Sequence, residues 1–195
     1  MTICGSAKGY FSKLSSKFYS TVFPVSTLGE IKSILKQLKE EHTNAVHICY
    51  AYRIVNGERL DEFSTDAGEP SGSSGLPILN ELRKQNIVNS AIYVIRYYGG
   101  SKLGIPGLIN AYGSAAQNGL ENADLEKWTE KELFILEFPY ELQRTVDSII
   151  SKTAAGILQQ SFNESVKIKV EIEVTQKELF IKMIHEKGGG KIKIN

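Results

Sequence analysis

"SAIYVIRYYGGSKLGIPGLINAYGSAAQNGLEN", residues Ser90 to Asn122, decides the fold class. Its first part is an apolar, β-rich run that stops at Gly99-Gly100 and predicts a strand. The rest passes through a glycine-rich turn into a helix rich in small residues. The same order occurs just upstream, where "DEFSTDAGEPSGSSG" leads into "LPILNELRKQN". There Ile78, Leu79 and Leu82 make an apolar face, and Pro77 is tolerable only in a helix's first turn. Strand, glycine loop and helix therefore appear twice in succession.

Working outward, "NAVHICYAYRIVNGERLDEFS" predicts two strands joined at Asn56-Gly57, a pair that tolerates the positive φ of a tight hairpin. "KFYSTVFPV" predicts a strand from Lys17 to Phe23, closed by Pro24. A helix follows: Thr27 and Glu30 form a capping box, and Ile31, Ile34, Leu35 and Leu38 recur at helical spacing. On the other side, "NADLEKWTEKE" marks a boundary, giving domains at 1–127 and 128–195. Beyond it, "ELFILEFPY", "ELQRTVDSIISKTA", "GILQQSF", "VKIKVEIEV" and "QKELFIKMIHEKGG" read as β-α-β-β-α, with "KIKIN" a final short strand. That order is the ferredoxin-like split βαβ pattern, and the whole chain is expected to be α+β.

The 195 residues carry 23 basic and 22 acidic side chains, with 13 against 12 up to Trp128 and 10 against 10 after it. Whole-chain charge announces neither nucleic acid nor membrane, so an anion site must be local. No apolar run approaches the roughly 20 residues of a membrane span. Cys4 and Cys49 are not a close pair, and no secretory leader precedes them, so a reducing cytoplasm is the expected location.

Two loops carry the candidate chemistry. Ser71, Gly72, Ser73, Ser74 and Gly75 can present backbone N–H groups at a helix N-terminus, which suits phosphate or carboxylate. Without a lysine after the last glycine it is not a Walker loop, and a tight structural connection is the competing reading. Asp66 and Glu69, with Asp61 and Glu62 upstream, could act as acid and base or hold a cation. Alternatively they cap N–H groups or pair with Arg96 or Lys102. In the second loop, Arg96, Tyr97, Gly99, Gly100, Lys102 and Gly104 combine cations for phosphates with tyrosines for bases. Strand alternation leaves at most one of Tyr97 and Tyr98 for stacking. His42, His47 and His185 make no recognisable metal spacing, and Cys49 in a strand reads as a buried small residue. No metal and no cofactor are expected.

"HICYAYRI", "DEFSTDAGEPSGSSGLPIL", "IRYYGGSKLGIPGLINAY" and "GSAA" together are similar to the signature of the IMPACT family, over most of residues 16 to 120. The tail from about Glu130 resembles the small C-terminal domain of bacterial members. The matching positions are Asp66, Gly68, Glu69, Pro70, Gly72 and Gly75, then Arg96, Tyr97, Gly99, Gly100, Lys102, Leu103, Gly104, Gly107, Leu108 and Tyr112. Ser73-Ser74 stands for the usual Thr-Ala, and Ile105-Pro106 for small residues, Pro106 removing a backbone N–H. The resemblance implies an N-terminal domain like the second domain of small-subunit ribosomal protein five. It implies a C-terminal ferredoxin-like domain similar to domains III and V of elongation factor G.

Eukaryotic relatives are translational regulators that act on a stress-response kinase through a general-control activator, a partner that is not carried over to a bacterial-type chain. What the resemblance implies here is a noncatalytic, translation-associated regulator that binds nucleic acid, the ribosome or a translation factor. The alternatives are an enzyme acting on a phosphorylated small molecule, with Asp66 or Glu69 as catalytic groups, and a protein-interaction module.

Overall fold

A computed structural model describes residues 1–57 and 59–195. The chain forms two compact units, Met1–Trp128 and Thr129–Asn195. The first contains β1 (Thr2–Cys4), β2 (Ala7–Lys13), β3 (Ser16–Pro24), α1 (Leu28–Glu41), β4 (His47–Asn56), β5 (Arg59–Thr65), α2 (Gly75–Lys84), β6 (Ser90–Tyr97), α3 (Gly104–Glu121) and β7 (Asp124–Glu126). Five of these strands make an antiparallel sheet in the order β2-β3-β6-β4-β5, and β1 pairs with β7.

β6 lies at the centre, hydrogen-bonded to β3 and β4 and buried from Ser90 to Arg96. Burial on both faces is why its sequence is an unbroken apolar run rather than an alternation. On one face, Phe18, Val22, Cys49, Ala51, Ile92 and Val94 pack against α2 and α3. The small residues Ala111, Ala115 and Ala116 let α3 lie close, and Ser20 Oγ donates to the Ala115 carbonyl at 2.6 Å. On the other face α1 seats Ile31 and Leu38 over Ile48, Ile54, Tyr93 and Ile95, and Tyr93 Oη donates to the Ile31 carbonyl at 2.9 Å. The capping box forms as expected, with Glu30 N donating to Thr27 Oγ1 and Thr27 N to the Glu30 carboxylate.

The short pair β1 and β7 and two further features depart from the sequence reading. β2 was not expected: its alternation Lys8, Tyr10, Ser12 is polar enough to pass for a loop, yet it pairs with β3 along seven residues. In the β4–β5 hairpin, Asn56 sits in the ladder opposite Arg59, so Gly57 adopts positive φ (+60°) and Asn56 does not.

The second unit holds β8 (Lys131–Phe138), α4 (Gln143–Thr153), β9 (Gly156–Phe162), β10 (Val166–Glu173), α5 (Lys177–Gly188) and β11 (Lys193–Ile194). Its antiparallel sheet runs β11-β8-β10-β9, so β10 is inserted between the parallel pair β8 and β9 that α4 connects. Leu136, Phe138, Val166, Ile168 and Val170 form its core with Val146, Ile149, Phe180 and Ile184. Both units mix helix and sheet. Among the described residues no helix is long and apolar enough to cross a membrane.

Candidate functional site

The loop between β5 and α2 is organised by one side chain. The Asp66 carboxylate accepts from Gly72 N at 2.8 Å, Ser74 N at 2.9 Å, Ser74 Oγ at 2.8 Å and Gly75 N at 2.8 Å. Ser73 N and Oγ both donate to the Pro70 carbonyl, at 3.0 and 2.6 Å. The N–H groups of Gly72, Ser74 and Gly75, expected to face an external anion, thus already hold an internal one at the first turn of α2. Ser73 and Ser74 are fully buried. Burial opposes ionisation of Asp66, but the Gly75 and Gly72 amides and the Ser74 hydroxyl and amide outweigh it and hold the carboxyl below its ordinary range. Gly75 is required by contact: a Cβ there would lie 2.7 Å from Thr65 N.

β4 supports the loop from beneath. His47 Nδ1 lies 2.8 Å from the Ala67 carbonyl, and Cys49 Sγ donates to the Asp66 carbonyl at 3.0 Å. Burial pushes the Cys49 thiol up to about 11, so it stays protonated at neutral pH as a donor rather than a nucleophile. The His47-x-Cys49 spacing, which places both side chains on one strand face, is the sequence signal for this support.

Glu69 is equally engaged. Its carboxylate accepts from Arg96 Nη1 and, at 2.7 Å, from Tyr112 Oη; the Arg96 and Glu69 side chains are only 8% and 4% exposed. The Arg96 guanidinium also lies 5.6 Å from the Phe18 ring centre and 5.5 Å from that of Tyr98. Arg96, expected on a phosphate-facing surface, is instead inside, because β6 is central and Glu69 reaches it across the sheet face. Upstream, Glu62 bridges Arg53 and Arg83, while Asp61 is exposed on the opposite face of β5.

At the end of β6 the second loop turns outward. Gly99 N donates to Ser16 Oγ at 3.1 Å, and a Cβ on Gly99 would fall 2.1 Å from the Ser15 carbonyl carbon, so only glycine lets the loop rest on the β2–β3 turn. Tyr97 is half-buried with its hydroxyl 2.7 Å from His42 Nδ1, whereas Tyr98 is 48% exposed. Gly100 and Gly104 take positive φ, and Lys102 is exposed, with no ion-pair partner among the described residues. Pro106 sits in the first turn of α3, where its missing N–H has no intrahelical acceptor to lose. Among the described residues no group of three His, Cys, Asp or Glu is placed to hold a metal ion.

Residues 14–120 match the family model for the Impact N-terminal domain. An IMPACT family member of Haemophilus influenzae is 32% identical over 182 residues, covering 92% of this chain and 87% of its own. The IMPACT family member YvyE of Bacillus subtilis is 28% identical over 176 residues, covering 90% and 81%. A solved structure described as a hypothetical protein superposes with a TM-score of 0.70 at 21% identity, over 99% of this chain and 94% of that one, and shows the same two-unit fold. The stretch that Asp66, Glu69, Arg96 and Tyr112 knit together falls within the matched segment, and by that segment and these relatives the chain belongs to the IMPACT family.

Proposed function

We propose that the protein is a noncatalytic regulator associated with translation, acting by binding RNA or the ribosome. The observation that carries this reading is the fate of the two signature carboxylates. Asp66 and Glu69, the residues an enzyme would use as acid, base or metal ligand, are both taken up by internal donors. The groups left facing solvent are those of a binding surface, Lys102 and Tyr98 beside the Gly99-Gly100 turn. In this reading the serine loop and Arg96 position that turn rather than touch the ligand. The family resemblance implies a first unit like the second domain of small-subunit ribosomal protein five and a second like the ferredoxin-like domains of elongation factor G, which supports a ribosomal setting by analogy of fold alone.

A second reading, a protein-interaction module, is favoured by one feature. A cleft of about 400 Å³ between α2 and α3 is lined by Leu76, Gly113 and Ile109, and Leu76 and Ile109 are exposed.

Sedimentation of the tagged protein from its own lysate through a sucrose gradient, at low and moderate salt and with and without ribonuclease, tests the first reading. Migration with ribosomal particles that ribonuclease abolishes is the expected result. Protein that stays at the top in every condition refutes it.

A further inference from the structure

Away from the signature loop, the sheet face on which α1 packs is left uncovered at its β2–β3 edge. There Tyr10 of β2 stands directly opposite Tyr19 of β3, their ring centres 5.0 Å apart, and Tyr19 lies 5.8 Å from Tyr97 of β6. The Tyr97 hydroxyl in turn meets His42 at the end of α1. Tyr10 and Tyr19 are 46% and 37% exposed, so the row is fixed by ring contacts yet open to solvent. Ser15, Lys17, Tyr19, His42, Tyr97 and Tyr98 line a cleft of about 480 Å³ beside it.

The charge on the strands that carry this row is of one sign. Lys8 and Lys17 alternate onto the same face as Tyr10 and Tyr19, and both are exposed, without an ion-pair partner among the described residues. No acidic residue occurs from Met1 to Gly29 or from Leu82 to Leu120, the segments that supply β2, β3, β6 and the following loop. Glu40 and Glu41, in the last turn of α1, lie beside His42; Lys36 pairs with Glu40, and Glu41 accepts from Gln37 and keeps its charge. A near-neutral chain therefore concentrates positive charge around an exposed aromatic row.

We propose that the Tyr10–Tyr19–Tyr97 row with Lys8 and Lys17 binds single-stranded RNA, the bases stacking on the tyrosines and the lysines meeting phosphates. The proposal rests on the translation reading above and gives it a surface and a class of ligand. Rigid aromatic faces flanked by cations are the means by which sheet surfaces hold unpaired bases, whereas a duplex keeps its bases turned inward. The surface continues to Tyr98, which lines the same cleft where the Gly99 turn rests on Ser15 and Ser16.

The test uses the full chain and a fluorescein-labelled oligouridine of about 12 nucleotides, read by anisotropy at about 50 and about 200 mM salt. Saturable binding that weakens with salt is expected. Tyr10→Ala and Tyr19→Ala each weaken it about tenfold, Tyr19→Phe keeps it within about twofold, and Lys17→Ala reduces the log–log salt slope by about 0.7. A duplex of the same length binds at least about tenfold more weakly. Unchanged melting temperatures for the variants keep a loss of binding from being a loss of fold. Absence of saturable binding at the lower salt, wild-type affinity in Tyr19→Ala, or equal affinity for the duplex overturns the proposal. Ribonuclease-sensitive sedimentation with ribosomal particles that survives Tyr10→Ala and Tyr19→Ala rejects this surface and leaves the translation reading standing.

Discussion

Asp66 and Glu69 differ in what their removal exposes. Asp66→Ala strands the amides of Gly72, Ser74 and Gly75 at the start of α2, and urea unfolding is expected to show a loss of about 2 kcal/mol. The folded Asp66 carboxyl titrates below the roughly 3.9 of an unfolded aspartate, so its contribution is complete above that pH and vanishes as pH falls through the folded value. Asp66→Asn should flatten the acid limb of stability accordingly. Removing one partner of the buried Arg96–Glu69 pair, as Arg96→Met or Glu69→Gln, is expected to cost about 3–5 kcal/mol, and the double variant much less than the sum. Arg96→Met should also leave the salt slope of RNA binding unchanged, since Arg96 faces Glu69 and not solvent. A thiol reagent at mildly alkaline pH is expected to modify exposed Cys4 and to reach Cys49 only on unfolding, its buried thiol being pushed up to about 11.

The elements were legible wherever local chemistry decides them. Thr27 and Glu30 announce the start of α1, and the unbroken apolar run of β6 announces a central strand. β2 escaped because an edge strand with one wet face carries little apolar signal, and β1 and β7 because three-residue strands exist only through each other. The serine loop was legible as a helix N-terminus that wants an anion, and capping of its N–H groups by Asp66 or Glu69 was legible as the alternative to an external ligand; which of the two holds lies in the return of the chain, not in any spacing. The same holds for Arg96, whose cation beside two glycines looks like a phosphate contact until Glu69, 27 residues earlier, is brought beneath it. Close approach between elements gives the matching prediction. Gly99→Ala and Gly75→Ala push a methyl into backbone at 2.1 and 2.7 Å, so each is expected to cost about 1–3 kcal/mol or more in thermal unfolding, while solvent-facing Lys102→Ala costs almost nothing.

At the scale of the whole molecule, each unit has its own core: α1, α2 and α3 sandwich one sheet, and α4 with α5 covers the other. Residues 1–128 and 129–195 produced separately are therefore expected to unfold cooperatively, each with near-native circular dichroism. An expanded, noncooperative 129–195 fragment would show that the smaller core is too small to stand alone. The Asp66 loop bears on how the intact protein must be surveyed for ligands. In mass-action terms that loop is a receptor tethered to its own competitor, whose effective concentration dissolved phosphate esters in a thermal-shift plate cannot match. Silence in such a screen therefore does not report the loop's own affinity, which repeating it with Asp66→Gly, where the donors are left vacant, reads directly.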